Sequence, residues 1–66
     1  MIQFEQKEIE LIEMFRNSSS KGALRTIYQI YDKYTGAVTE SCFCSRLERE
    51  QMSKQFYIWY DENNNQ

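Results

Sequence analysis

Apolar residues recur at helical spacing in three stretches of this chain, and polar or turn-forming residues separate them. The clearest stretch is the middle one. Leu24, Ile27, Tyr28, Tyr31 and Tyr34 follow an i, i+3, i+4, i+7 pattern, widened by Ala23 and Ile30. The pattern predicts a helix over 21–34. Ser20 is placed to cap its start, Lys33 suits its last turn, and Gly36 stands where a left-handed residue would end it.

Residues 3–16 predict the first helix. Phe4, Leu11 and Phe15 share a face, flanked by Ile12 and Glu8, with Ile9 and Met14 to the sides. Glu5 and Glu8 suit the positive end of the helix dipole and Arg16 the negative end. Asn17-Ser18-Ser19-Ser20-Lys21-Gly22 then reads as a solvated turn.

The third helix is predicted over 45–61. Ser45-Arg46-Leu47-Glu48 reads as a capping box, in which Ser45 and Glu48 satisfy each other's backbone N–H. Met52, Phe56, Trp59 and Tyr60 fall on one face. Leu47 and Ile58 fall roughly opposite, with Tyr57 beside them. A helix at the edge of a small domain needs one apolar stripe. A second stripe implies either a helix wrapped on both sides or a face that meets a partner. Thr35 to Cys44 reads as an ordered loop with an extended piece near 38–43. An alternative start has Thr39 as the cap and the helix opening at Glu40.

The expected architecture is all-α: one compact three-helix domain over 1–62, an ordered loop between helices two and three, and a frayed polar tail over 63–66. The expected core is Phe4, Leu11, Phe15, Leu24, Ile27, Tyr28, Tyr31, Met52, Phe56 and Trp59. At 66 residues the chain makes one domain at most, with a small core. The one Trp, five Tyr and four Phe enlarge that core, since each aromatic ring buries a large area. No apolar run reaches membrane-span length, and Met1 to Glu8 does not read as a signal peptide. The expected setting is therefore intracellular and cytoplasmic, without a membrane partner.

The net charge of −2 exerts no general pull on nucleic acid, but its distribution is uneven. Four glutamates against Lys7 leave residues 1–15 at −3, and Asp61 and Glu62 leave the tail at −2. Between them, residues 16–54 carry seven bases and four acids, a balance of +3.

Candidate chemistry is sparse. Cys42 and Cys44 form a C-x-C pair in a chain without histidine. Two thiolates are half of a tetrahedral zinc site, so zinc would need acids or a second chain to complete it. A disulfide across one residue is strained. Reduced thiols, with one cysteine packed as a small apolar residue, are the simpler expectation. There is no histidine base, no Gly-rich phosphate loop and no activating group for a nucleophile beyond Arg46 and Arg49. The chain is expected to be neither an enzyme nor a holder of a cofactor or metal.

Two functions remain. The first is a protein–protein interaction or assembly module, acting on a protein partner or on itself. Its candidate contacts are Leu47, Tyr57, Ile58 and Tyr60, drawn from the second face and the aromatic end of the third helix. The alternative is a small helix-turn-helix-like DNA-binding protein, with Lys21, Arg25, Lys33, Arg46 and Arg49 toward the duplex. Against it, the 35–44 connection exceeds the 3–4-residue turn of that motif, and Glu48 and Glu50 alternate with the bases. Tyr31-x-x-Tyr34-Thr35-Gly36, Cys42-x-Cys44 and Phe56-Tyr57-x-Trp59-Tyr60 together resemble short uncharacterised helical proteins of tailed bacteriophages. The resemblance covers residues 31–60. It implies a viral structural, packaging or host-interaction role, in host cytoplasm or virion, and assigns no site residue.

Overall fold

The computed structural model describes residues 2–64. It contains three helices, α1 (Gln6–Met14), α2 (Lys21–Thr35) and α3 (Arg46–Asn63), and among the described residues no strand. The all-α three-helix architecture is therefore as expected. A radius of gyration of 11.1 Å agrees with the value of about 11 Å for a compact chain of this length. No helix of the described residues is long and apolar enough to cross a membrane.

Helix α1 is shorter than its pattern suggested. Glu5 is the N-cap, with extended backbone at φ −69° and ψ 150°, so Phe4 precedes the helix instead of lying on it. Phe4 is nevertheless buried, and Ile9, four residues into the helix, packs against the same core, the arrangement of a hydrophobic staple. With Phe4 off the wheel, the inward stripe becomes Glu8, Ile12 and Phe15, at i, i+4 and i+7. Ile12 is fully buried, and Leu11, expected in the core, is only half-buried.

Helix α2 matches its signals closely. The Ser20 hydroxyl accepts from the Ala23 N–H at 3.2 Å, and Gly36 closes the helix at φ 75°, its N–H donating to the Asp32 carbonyl. Leu24, Ile27 and Tyr28 are buried as expected. Ser45 caps α3 by accepting from the Glu48 N–H at 3.3 Å. The reciprocal half of that capping box is absent, because the Glu48 carboxylate accepts instead from the Ser41 hydroxyl at 2.6 Å. The alternative start at Thr39 is also excluded. The Thr39 N–H and hydroxyl both donate to the Asp32 carboxylate, tying the residue back to α2, and 36–45 carries no helix or strand.

Helix α2 is the central element, with α1 and α3 packed on it. The outer two meet mainly through long side chains. The Tyr57 hydroxyl donates to the Ile12 carbonyl at 2.6 Å, and the Arg16 guanidinium donates to Asp61 at 3.0 Å. Ile12 lies in the last turn of α1, where carbonyls lose their helical partners, so Tyr57 acts as a cap supplied from another helix. The Phe4 ring touches Tyr34, Trp59 and Tyr60, and this aromatic cluster closes the core. Phe15, Tyr31, Met52 and Trp59 are half-buried and packed against it.

Asn63 and Asn64 are ordered, contrary to the frayed tail expected from 63. Asn63 completes α3, its carbonyl accepts from the Ile2 N–H at 2.7 Å, and the Asn64 side-chain amide donates to the Tyr60 hydroxyl. Asn65 and Gln66, the rest of that expected tail, lie outside the described residues.

Candidate functional site

The inward arc of α3 runs from Met52 and Trp59 through Phe56 and Tyr60 to Tyr57. The broad arc fits between α1 and α2, which corrects two expected partner contacts. Tyr57 is buried, its hydroxyl spent on Ile12 and its ring stacked under the Arg16 guanidinium at 4.7 Å. Tyr60 is 1% exposed, among Phe4, Phe56 and Tyr57. Burial pushes the Tyr57 hydroxyl up to about 12 and the Tyr60 hydroxyl in the same direction.

The other two expected contacts do reach the surface. Leu47 is 65% exposed and Ile58 59% exposed. They stand eleven residues apart, about three helical turns, so they share one face. The other large apolar residues left in solvent among the described residues are Met14 on α1 and Val38 in the 36–45 connection, on separate elements.

Beside this face lies an open groove of about 460 Å³, walled by Arg16 to Ser19 on one side and by Glu50, Ser53, Lys54, Ile58 and Asp61 on the other. A second depression of about 450 Å³ is lined by Leu47, Glu50, Gln51 and Lys54. The two share Glu50 and Lys54 on α3. Arg16 sits at the edge of the groove, between Glu13 and Asp61, at 2.9 and 3.0 Å. Hydrogen bonds to those two acids raise the Arg16 pKa, and the Arg16 contact holds the Glu13 carboxyl below its usual value. The loop wall was missed at the sequence level because 17–22 carries only turn signals. It comes to α3 through Arg49, whose Nε donates to the Ser19 carbonyl at 2.8 Å.

Of the five basic residues considered for DNA, two are engaged by internal partners, Lys33 and Arg49. Arg49 is half-buried and also donates to the Phe43 carbonyl at 2.9 Å, so it holds the two loops onto α3. Lys33 is bound to Glu5 and Glu8, both at 2.8 Å. Arg46 approaches Glu50 at 3.9 Å, Lys21 donates to the Cys44 sulfur at 3.9 Å, and Arg25 lines a small cleft with Tyr28 and Asp32.

Glu8, expected to flank the apolar face of the first helix, is 9% exposed. It accepts from the Glu5 N–H at 2.9 Å, from Lys33, and from the Tyr34 hydroxyl. Burial pushes its carboxyl up, but hydrogen bonds from Lys33, Tyr34 and the Glu5 N–H outweigh this and leave it below its ordinary value. With its oxygens occupied by structural donors, it joins α1 to α2 and faces no groove.

Both cysteines are exposed, which corrects the expectation that one packs in the core. Phe43 between them has a left-handed backbone at φ 55° and is buried, which sends the sulfurs on either side outward. The contact between the two thiols lowers the Cys42 pKa and raises that of Cys44. Native protein should accordingly release two equivalents in a thiol titration with a disulfide reagent. A count of one without denaturant would contradict this exposure. Among the described residues no group of three or more metal-ligating side chains comes together.

Comparison with protein-family models, with curated proteins and with solved structures finds no match for this chain.

Proposed function

We propose that this chain is a small non-enzymatic protein–protein interaction or assembly module, and that it binds through the outward face of α3. One observation carries the reading: Leu47 and Ile58 stand in solvent on the same face, and Ile58 borders an open groove between α3 and residues 16–19. Exposed aliphatic residues aligned over three turns are a feature of helical docking surfaces. The absence of histidine from the sequence and the structural engagement of Glu8 support a role without catalysis. The resemblance of residues 31–60 to short tailed-bacteriophage proteins supports a viral setting, in host cytoplasm or virion.

DNA binding is the second reading, and two of its five bases, Lys33 and Arg49, are committed to internal partners. Co-purification with mass spectrometry compares the readings. Wild-type protein should recover a protein partner that the Leu47→Ser/Ile58→Ser variant loses while keeping its circular dichroism spectrum. Nanomolar binding of duplex DNA, falling steeply with salt, would favour the second reading.

A further inference from the structure

Leu47, Gln51, Lys54 and Ile58 recur at intervals of four, three and four residues, the spacing of a coiled-coil seam. Leu47 and Ile58 lie near the middle of the exposed arc of α3, and Glu50 borders it. The seam is apolar at both ends and polar between. Reversed end to end, it matches itself: Leu47 falls on Ile58, Gln51 on Lys54, and Glu50 comes within one residue of Lys54.

We propose that the partner of this face is a second copy of the chain, docked α3 against α3 in antiparallel orientation about a two-fold axis near Met52 and Ser53. This names the occupant of the face and so rests on the interaction reading above. A two-fold interface needs a patch that complements its own image, and this seam does so twice, once for each Leu47–Ile58 pair. Charge selects the orientation. Antiparallel docking brings each Lys54 to the other copy's Glu50 and Gln51, and sets the acidic Asp61–Glu62 end of one helix near the Arg46 end of the other. Parallel docking would stack Lys54 on Lys54. Among the described residues the ion pairs engage Arg16, Lys33 and Arg46, and leave Lys54 available. Glu50 is held there by one loose ion pair, to Arg46 at 3.9 Å.

The seam spans about 16 Å of helix. A four-residue helix face of that length buries less than the ~800 Å² per partner typical of stable dimers, so the dimer should be weak, with a dissociation constant on the order of 100 µM.

Sedimentation equilibrium of the purified chain, from low micromolar to about millimolar protein, tests this range of affinity. The expected result is a monomer–dimer equilibrium that Lys54→Glu weakens at least tenfold, by setting a carboxylate at position 54 against the other copy's Glu50. The swap Glu50→Lys/Lys54→Glu should restore it to within about threefold of wild type, because the pairs are remade with their signs exchanged. A parallel seam would show no such loss, since it replaces one like pair by another. Circular dichroism confirms that these surface variants are folded. Dimerisation indifferent to Lys54→Glu would overturn the antiparallel pairing. A monomer at millimolar concentration would overturn self-docking altogether, and the interaction reading would then stand or fall on the partner lost by Leu47→Ser/Ile58→Ser.

Discussion

Phe56→Ala should leave the chain largely unfolded at 25 °C, whereas Ile58→Ala, two residues along the same helix, should leave it folded. Phe56 is 1% exposed and touches Tyr28, Tyr57, Trp59 and Tyr60. Removing such a ring costs about 3–5 kcal/mol, partly as lost transfer energy and partly as the cavity left behind. A 66-residue domain has on the order of 3–10 kcal/mol in total, so the loss is comparable to the whole. Ile58 is 59% exposed, and its truncation should fall within about 0.5 kcal/mol of neutral. Urea denaturation followed by circular dichroism measures both. A stable Phe56→Ala together with an unfolded Ile58→Ala would mean that α3 presents its other face to the core.

Glu8→Gln should cost about 1.5–3 kcal/mol near neutral pH, because it removes the charge from hydrogen bonds that Lys33, Tyr34 and the Glu5 N–H donate. The cost should depend on pH in a definite direction. The folded-state pKa of Glu8 lies below its ordinary value of 4.5. The ionised group therefore contributes its full stabilisation above that ordinary value, and the contribution is lost as pH falls through the lower folded value. Wild type and Glu8→Gln should thus differ most near neutrality and converge in acid. Glu13 titrates in the same direction, and taking the difference between the two proteins removes its effect. A gap that stays constant from pH 7 to about 2 would show that Glu8 contributes by packing and not by charge.

The residues that punctuate helices were legible in the sequence. Ser20, Gly36 and Ser45 each do locally what their chemistry dictates, and α2 and α3 begin within a residue of expectation as a result. The start of α1 was obscured because Phe4 has the spacing of a helical residue while sitting in the extended segment ahead of the cap. Helical spacing says which residues share a face, but the width of the buried arc depends on the neighbours. Both α1 and α2 press on α3, so Tyr57 and Tyr60 turned inward and only Leu47 and Ile58 remained of the expected contacts. The environment of Glu8 depends on Lys33 and Tyr34, more than two dozen residues away, and no local pattern encodes that meeting. Cys42 and Cys44 were misjudged for a related reason. The pattern Cys-Phe-Cys buries either its centre or its flanks, and the φ of 55° at Phe43 decides for the centre.

The bond from the Ile2 N–H to the Asn63 carbonyl makes the fold nearly a closed ring, lacking one covalent link. Three helices follow one another in cyclic order, and only a short tether is needed to join residue 64 back to residue 2. A circular permutant could then open in the 36–45 connection, where Gly36, Ala37, Val38 and Glu40 are exposed, with α3 leading and α2 last. Such a chain would keep the outward face of α3 intact and display it next to its own start.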